Sequence, residues 1–338
     1  MTRRAAPRAP VTVSLLVALA LGFALALGLG HQPARAAEIP PQAGASRMAP
    51  GVEVGIADQK ADMFSDPRFG TLGINRARLA IGWDALTSER DIAEIDAWLQ
   101  GAQAAGVEPL VSFMHSRSNR RRVPTPERLK YEFRRFRQIW PWVTTFATWN
   151  EANHCGEPLC HRPRLAAAYY RALRRECPSC TIIAPEVLDM PNLRTWVRDF
   201  VRKLGYSPKI WGLHNYVEAN RFKMQRLREL LRAAPRSQVW LTETGGLVRR
   251  DNASTTEIPE GPRHAGEVTR FIFDRILPRN RRVTRVYLYH WNAGPPQTTW
   301  DSALITPGGR ERSALFVLAR VLRFGLRPGA DFRSKNAS

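Results

Sequence analysis

Short apolar runs rich in β-branched residues alternate with longer amphipathic stretches along most of the chain. Eight of these runs have the length and composition of buried strands. They lie at 52–56, 74–81, 109–114, 144–149, 181–184, 210–213, 239–242 and 283–289. Helical periodicity fills most of the intervals, at 91–104, 128–140, 165–175, 193–204, 224–233, 267–277 and 312–324. The alternation predicts an α/β protein built as a single (β/α)8 TIM barrel.

An open, doubly wound sheet is the alternative architecture for the same alternation. Such a sheet usually carries a glycine-rich first turn that holds a phosphate group. No G-x-G-x-x-G or G-K-[ST] sequence follows an early predicted strand. This favours the barrel and weakens the case for a nucleotide-binding protein.

The predicted barrel occupies residues 51–330, and the chain before it has the pattern of a targeting segment. Three arginines precede an apolar run at 11–30, and an Ala-Arg-Ala cleavage motif follows at 34–36. This order predicts a signal peptide at 1–36, or an uncleaved membrane anchor because the apolar run is long. Two short segments flank the barrel, a linker at 37–50 and a C-terminal tail at 331–338. We therefore expect a secreted or cell-surface monomer that meets a membrane only if the N-terminal segment stays uncleaved.

The charge balance is strongly basic. The 338 residues include 51 Lys and Arg against 30 Asp and Glu, a formal net charge of +21 at pH 7. Such a balance attracts acidic polysaccharide, anionic lipid or nucleic acid, or only reflects a solvated basic surface. The sequence has no zinc-finger, helix-turn-helix or RNA-binding signature, so we expect no nucleic-acid partner.

The four cysteines form two close pairs, Cys155 with Cys160 and Cys177 with Cys180. Close pairs of this kind serve either as zinc ligands or as local disulfides. In an exported chain the oxidising compartment favours disulfides, so we predict the bonds Cys155–Cys160 and Cys177–Cys180 and no metal site. Bonds that close such small loops stiffen the local chain more than they stabilise the whole fold.

Polar, ionisable and aromatic residues crowd the ends of the predicted strands, where the active site of a TIM barrel lies. The set is Asp58, Arg78, Trp83, His115, Asn150, Glu151, Glu186, Asp189, His214, Tyr216, Glu243, His290 and Trp291. Glu151 and Glu243 end the fourth and seventh strands, on opposing parts of this rim. Two carboxyl groups suit cleavage of a glycosidic bond, because one protonates the leaving oxygen while the other attacks or stabilises the anomeric carbon.

The two carboxyl groups need different environments for this chemistry. We expect partial desolvation and neighbouring negative charge to raise the pKa of Glu151 and keep it protonated as the acid. Arg78 and Tyr216 are placed to keep Glu243 ionised as the nucleophile. A separation of about 5–5.5 Å predicts a retaining reaction through a covalent intermediate, and a wider gap predicts inversion.

The motifs Trp149-Asn150-Glu151 and Glu243-x-Gly245 resemble the acid/base and nucleophile signatures of clan A glycoside hydrolases, which are retaining enzymes with (β/α)8 barrels. The resemblance covers roughly residues 52–325 and leaves family 5, family 39 and the β-glucanase families of the clan open. Ala152 stands where the clan commonly has proline.

The resemblance also implies substrate-binding roles. Asn150 is similar to the Asn that binds the sugar 2-hydroxyl, and Arg78 to the strand-two Arg near the nucleophile. His214-x-Tyr216 is similar to the strand-six motif whose Tyr bonds the nucleophile. Two further positions are implied by analogy: His115 as a sugar-binding residue and Trp291 as the floor of the catalytic subsite.

Together these observations predict an exported retaining glycoside hydrolase that cleaves O-glycosidic bonds of a β-linked glycan, with Glu151 as acid/base and Glu243 as nucleophile. It needs no cofactor. Its substrate is a polysaccharide or oligosaccharide, and the basic balance is compatible with an anionic one. The alternatives are a non-catalytic carbohydrate-binding barrel, a transglycosylase with the same residues, and a metal-dependent hydrolase. The last lacks the His-x-His motif that such metal sites usually contain.

Overall fold

The computed structural model describes residues 51–251 and 257–324. The predicted segments at 1–36, 37–50 and 331–338 lie outside these residues, as do the last few residues assigned to the barrel. None of the helices within the described ranges combines the length and apolar character that crossing a membrane requires.

All eight predicted strands form, and they pair in parallel within one sheet. They are β1 (Glu53–Ala57), β2 (Arg76–Gly82), β3 (Glu108–Met114), β4 (Thr145–Ala147), β5 (Thr181–Ile183), β6 (Ile210–His214), β7 (Gln238–Thr244) and β8 (Val283–Tyr289). The sheet order is β5-β4-β3-β2-β1-β8-β7-β6, and a short strand at Val187–Leu188 pairs with β6 beyond that end. The amide of Ala184 donates to the carbonyl of Ile210 at 2.9 Å, which links β5 to β6. The sheet therefore curls back on itself, and the predicted TIM barrel is confirmed.

Helices alternate with the strands. They are α1 (Pro67–Thr71), α2 (Glu89–Ala104), α3 (Pro126–Ile139), α4 (Pro163–Glu176), α5 (Leu193–Leu204), α6 (Tyr216–Asn220), α7 (Gln225–Ala233), α8 (Pro262–Phe271), α9 (Leu277–Arg279) and α10 (Ser313–Phe324). A π-helical turn, Ile272–Ile276, joins α8 to α9. Local sequence explains the helix starts: α2, for example, begins where the Ser88 hydroxyl accepts from the amide of Asp91, an N-cap that satisfies a free backbone donor.

Two apolar layers hold the barrel together. Inside it, side chains from six of the strands meet in a small cluster of Ala57, Leu110, Ala147, Ile183, Trp240 and Tyr287. Outside it, strand side chains pack against the apolar faces of the helices; Ile95, Trp98 and Leu99 of α2 are buried in this layer, as their spacing predicts. The rigid strands thus fix the positions of the residues at their ends.

Both predicted disulfides are present. Cys155–Cys160 closes the loop after β4, and Cys177–Cys180 closes the turn between α4 and β5. The first bond therefore lies at the carboxyl ends of the strands and the second at the opposite end of the barrel.

Candidate active site

The chain at the end of β4 stays in register with its neighbours before it turns away. The amide of Asn150 donates to the carbonyl of Phe113 at 2.7 Å, and the amide of Glu186 donates to the carbonyl of Trp149 at 2.8 Å. At Glu151 the backbone adopts a left-handed conformation, with φ of 44°, which is uncommon for a residue other than glycine. At this turn the chain leaves the direction of β4 and enters the loop that contains the Cys155–Cys160 disulfide.

Arg78 on β2 is the centre of the polar network at these strand ends. Its buried guanidinium donates through Nε and Nη2 to both oxygens of Glu186, at 2.7 and 2.6 Å. Nη1 donates to Glu243 Oε2 at 2.9 Å, and Nη2 also donates to Asn150 Oδ1 at 2.7 Å. Burial acts to lower the pKa of Arg78, but the charges of Glu186 and Glu243 outweigh it and raise that pKa. The guanidinium is therefore a permanent positive charge with its donors committed.

Glu186 is a buried carboxylate that the strand pattern marked only as a rim residue. The Ser112 hydroxyl donates to its Oε2 at 2.5 Å, in addition to the two bonds from Arg78. Gly212 makes room for it, because a Cβ at that position would lie 2.5 Å from the Glu186 Cγ. Burial acts to raise the pKa of Glu186, but the charge of Arg78 outweighs it and holds that pKa far below the usual value. Glu186 is thus an anion without access to solvent, suited to balancing Arg78.

Glu243 at the end of β7 receives a hydrogen bond on each oxygen. Arg78 donates to Oε2, and the Tyr216 hydroxyl donates to Oε1 at 2.9 Å. Burial and then the charge of Glu243 raise the pKa of Tyr216 well above its ordinary value, so the phenol keeps its proton. Trp300 packs edge-on against the Tyr216 ring, with centroids 4.9 Å apart. These contacts hold the Glu243 carboxylate in one orientation.

Glu151 is paired with a histidine instead. His214 is fully buried, and its Nδ1 lies 3.0 Å from Glu151 Oε1. Burial acts to lower the pKa of His214, but the charges of Glu243, Glu151 and Glu186 outweigh it and raise that pKa to about 9. His214 is therefore an imidazolium at neutral pH.

The expectation of a raised pKa for Glu151 is wrong for this state of the protein. Burial does act in that direction, but the hydrogen bond from His214 and its charge outweigh burial and lower the pKa. The carboxylate is consequently ionised at neutral pH, and its exchangeable proton resides on the neighbouring imidazole.

The two carboxylates lie close together across the rim. His214 Nδ1 is 3.0 Å from Glu151 Oε1 and 3.9 Å from Glu243 Oε2. Because both distances start at one nitrogen, these oxygens are at most about 7 Å apart. That limit is compatible with the spacing of about 5–5.5 Å between the carboxyl groups of retaining enzymes.

Glu157 is a further buried carboxylate, and the strand pattern of the sequence does not reveal it. It accepts from Trp149 Nε1 at 3.0 Å and contacts His115 Nδ1 at 2.5 Å. It lies inside the loop that the Cys155–Cys160 disulfide closes. It thus joins the end of β3 to the Trp149-Asn150-Glu151 motif. Since His115 is buried and its Nδ1 is engaged here, only the other ring nitrogen remains for the sugar contact that was expected.

The position of Trp291 does not fit the expected subsite floor. Its ring is fully buried, its Nε1 donates to Asp66 Oδ2 at 3.1 Å, and Phe69 packs edge-on against it. A platform for a sugar needs an accessible face, and this ring has none. Tyr289, the last residue of β8, is partly exposed. Burial and then the charge of Glu243 raise the pKa of Tyr289.

The chain has recognisable relatives. The model of the family described as glycosyl hydrolase catalytic core matches residues 127–312, more than half of the chain, including both Glu151 and Glu243. No curated protein sequence matches the chain significantly.

Solved structures with similar folds are glycosidases at low sequence identity. A family 39 glycoside hydrolase from the gut symbiont Bacteroides cellulosilyticus WH2 is 15% identical, with a TM-score of 0.53 over 80% of this chain and 63% of that one, so the chain spans less than two thirds of its length. A GH10 endoxylanase from a sugarcane soil metagenome is 13% identical, with a TM-score of 0.57 over 80% and 97%. A GH128 endo-β-1,3-glucanase from Amycolatopsis mediterranei, in complex with laminaripentaose, is 16% identical, with a TM-score of 0.52 over 80% and 99%.

At these identities the structural matches establish the fold alone, and the matched family model establishes the relationship. The expected resemblance to barrel glycosidases is confirmed, and this chain belongs to the glycosyl hydrolase catalytic core family.

Proposed function

We propose that this protein is a retaining glycoside hydrolase that cleaves β-linked glycans, with Glu243 as nucleophile and Glu151 as acid/base. The observation that carries the proposal is the different bonding of two neighbouring carboxylates. Glu243 is held on both oxygens by Arg78 and Tyr216, while Glu151 accepts a hydrogen bond from His214. The limit of about 7 Å between them supports a direct attack by one of the carboxylates.

The reaction has two steps. In the first, Glu243 attacks the anomeric carbon as Glu151 donates a proton to the departing oxygen, which leaves a glycosyl ester on Glu243. In the second, Glu151 accepts a proton from water as that water attacks the same carbon and releases Glu243. Two inversions at one carbon retain its configuration.

The proton for the first step comes from His214. Its Nδ1 lies 3.0 Å from Glu151 Oε1, so transfer along this hydrogen bond converts an ion pair into a neutral acid and a neutral imidazole. Bound sugar covers the site and excludes water, which favours the neutral pair because charges lose solvation in a low dielectric. Glu151 thereby becomes the acid only when substrate is present.

Asn150 is placed to recognise the sugar. Arg78 donates to its Oδ1 at 2.7 Å, which orients the side-chain amide so that Nδ2 is directed to donate elsewhere. We assign that donor to the 2-hydroxyl of the sugar under attack, a contact that strengthens in the transition state of glycoside cleavage.

The similar structures support a β-linked polysaccharide as the substrate, since they include an endoxylanase and an endo-β-1,3-glucanase bound to laminaripentaose. The two disulfides support the expected extracytoplasmic location, because such bonds persist in oxidising compartments.

The decisive experiment follows the configuration of the product. Purified protein is incubated with soluble β-1,3- and β-1,4-linked oligosaccharides, and the anomer released first is identified by proton NMR before it mutarotates. We expect the β-anomer. Release of the α-anomer would show inversion and overturn the role of Glu243 as nucleophile.

Azide distinguishes the two glutamates. With an activated aryl glycoside, azide should rescue Glu151→Ala and yield the β-glycosyl azide, because it attacks the intact ester on Glu243. With Glu243→Ala it should attack directly and yield the α-glycosyl azide. The opposite pairing of products would exchange the two roles.

A further inference from the structure

Three consecutive arginines, Arg120, Arg121 and Arg122, lie in the loop between β3 and α3, and all three are exposed. The flanking arginines are neutralised: Arg117 pairs with Asp91 and Glu94, and Arg128 pairs with Glu132. None of the ion pairs found within residues 51–251 and 257–324 includes a guanidinium of the triplet. Like charges this close repel one another, so the loop concentrates positive charge that internal partners leave uncompensated.

The triplet lies at the same rim as the two catalytic carboxylates. Arg120 Nη2 is 3.5 Å from the carbonyl of Gly156, in the loop that begins with Glu151. The guanidinium of Arg122 lies over the ring of Trp83 at the exit of β2, 5.4 Å from its centroid. The backbone of Trp83 is fixed at this exit, because its amide donates to the carbonyl of Met114 at 2.9 Å. The arginines therefore extend along the rim from the end of β2 to the acid/base loop.

We propose that Arg120–Arg122 form a subsite for carboxylate groups of the glycan, and that the substrate is an acidic β-linked polymer containing uronic acid residues. A guanidinium binds a carboxylate through two parallel hydrogen bonds, and it stays charged at every physiological pH. A neutral sugar offers no group that would neutralise the triplet. The assignment of cleavage to this polymer depends on the proposed function, but the binding of the carboxylated chain does not.

The net charge of +21 calls for a control that removes the same charge elsewhere. Arg175 and Arg236 are exposed, and each lies before a strand begins, at the end of the barrel opposite the rim. The variant Arg175→Gln/Arg236→Gln therefore removes the same charge as Arg120→Gln/Arg121→Gln but removes it far from the rim. Arg122 is kept in both because it covers Trp83.

The test measures binding of two ligands that differ only at C6. One is a β-1,3-glucan hexasaccharide, and the other is the same hexasaccharide oxidised to carboxylates at C6; a β-1,4-linked pair is measured in parallel. Titration calorimetry with the Glu151→Gln protein avoids turnover. We expect the oxidised chain of one pair to bind at least about tenfold more tightly at low salt. The preference should disappear near 1 M salt, where the screening length falls to about 3 Å.

The two variants distinguish binding at the arginine triplet from attraction by the overall positive charge of the protein. Arg120→Gln/Arg121→Gln should lose about tenfold in affinity for the oxidised chain and nothing for the neutral one, since exposed charge pairs contribute little individually but add when several meet one ligand. The control should keep the preference. Equal loss in both variants, or no preference for the oxidised chain in either linkage, would overturn the subsite.

Failure of the proposed function gives a different result. If the wild type binds the oxidised chain selectively but cleaves neither ligand of either pair, the subsite stands and the hydrolase assignment fails for these linkages. If it cleaves the neutral chain without any preference, the assignment stands and the subsite fails.

Discussion

Glu151 and Glu243 are the same residue type at the ends of two strands in one barrel, yet their surroundings differ in kind. Glu243 contacts a guanidinium that does not deprotonate and a phenol that keeps its proton. Glu151 contacts an imidazole whose pKa is about 9. The two carboxylates therefore differ in whether a partner can give up a proton: the partners of Glu243 keep their protons, whereas His214 can pass one to Glu151.

The largest effect should come from replacing Glu243. Glu243→Gln keeps the shape of the side chain but removes the proposed nucleophile, so we expect kcat to fall by at least about 10⁴-fold on every substrate. Steady-state kinetics on a cleaved oligosaccharide measures the loss. A variant with more than a few per cent of wild-type kcat would show that Glu243 does not form the bond to the sugar.

Removal of the exchangeable proton should depend on the leaving group. For Glu151→Ala we expect kcat to fall by about 10²–10⁴-fold on an oligosaccharide, since its leaving alcohol needs protonation. On an aryl glycoside with an acidic phenol the first step should be nearly unaffected, which pre-steady-state release of the phenol would measure. Equal losses on both substrates would remove the distinction drawn between the two glutamates.

The protonation of His214 should make the stability of the protein depend on pH. Its pKa is raised to about 9 from an ordinary value of 6.5, so the stability it contributes is complete below pH 6.5 and is lost as pH rises through 9. We expect the free energy of unfolding to fall between pH 7.5 and 9.5, and less so in His214→Asn. This window avoids Asp189, whose pKa burial raises to about 7. Denaturant titrations at the two pH values measure the difference.

Activity should follow the same group. The alkaline limb of kcat/KM should fall near pH 9 in the wild type, because a neutral imidazole has no proton for Glu151. Tyr216→Phe is the matched control, since it removes a donor to Glu243 and should lower kcat by about 10–100-fold without moving this limb. A limb that moves as far in Tyr216→Phe as in His214→Asn would contradict the assignment of the proton to His214.

The smallest of these effects concerns Glu157, which joins the end of β3 to the Trp149-Asn150-Glu151 motif. Glu157→Gln keeps an acceptor for one of its two partners, Trp149 or His115, and loosens the link between the ends of β3 and β4. We expect kcat/KM to fall by about tenfold with little change in pH profile. Restored activity in Glu157→Asp is not expected, because the shorter chain cannot span both contacts.

The strands, the longer helices and the two disulfides could be predicted because each depends on local sequence, whereas the short helices α1 and α6 were not predicted. Apolar runs of strand length mark β1 to β8, and close cysteine spacing limits the pairing of Cys155 and Cys160. The two glutamates at strand ends follow from the same pattern, since a barrel brings all strand ends to one rim. Position along the chain is sufficient information for these features.

The polar partners could not be predicted in the same way. Arg78 and Glu186 are 108 residues apart in sequence, and no periodicity links them. The ionisation of Glu151 depends on a 3.0 Å contact with His214, and a linear pattern does not show which of two opposing effects on a pKa is larger. Trp291 failed for a related reason, since its backbone amide donates to Asp58 Oδ2 at 2.9 Å and the chain turns its ring into the core beside Phe69.

The barrel closes between β5 and β6, and this seam lies beside the candidate active site. The amide of Ala184 links β5 to β6 through the carbonyl of Ile210, and two residues later the chain reaches Glu186, the counter-ion of Arg78. We therefore expect hydrogen–deuterium exchange at Ala184 to report on the charged cluster formed by Arg78, Glu186 and Glu243. A glycan that binds there and stiffens the cluster should slow this exchange. The seam amide thus provides an assay that ranks candidate polysaccharides by binding, before a single turnover has been observed.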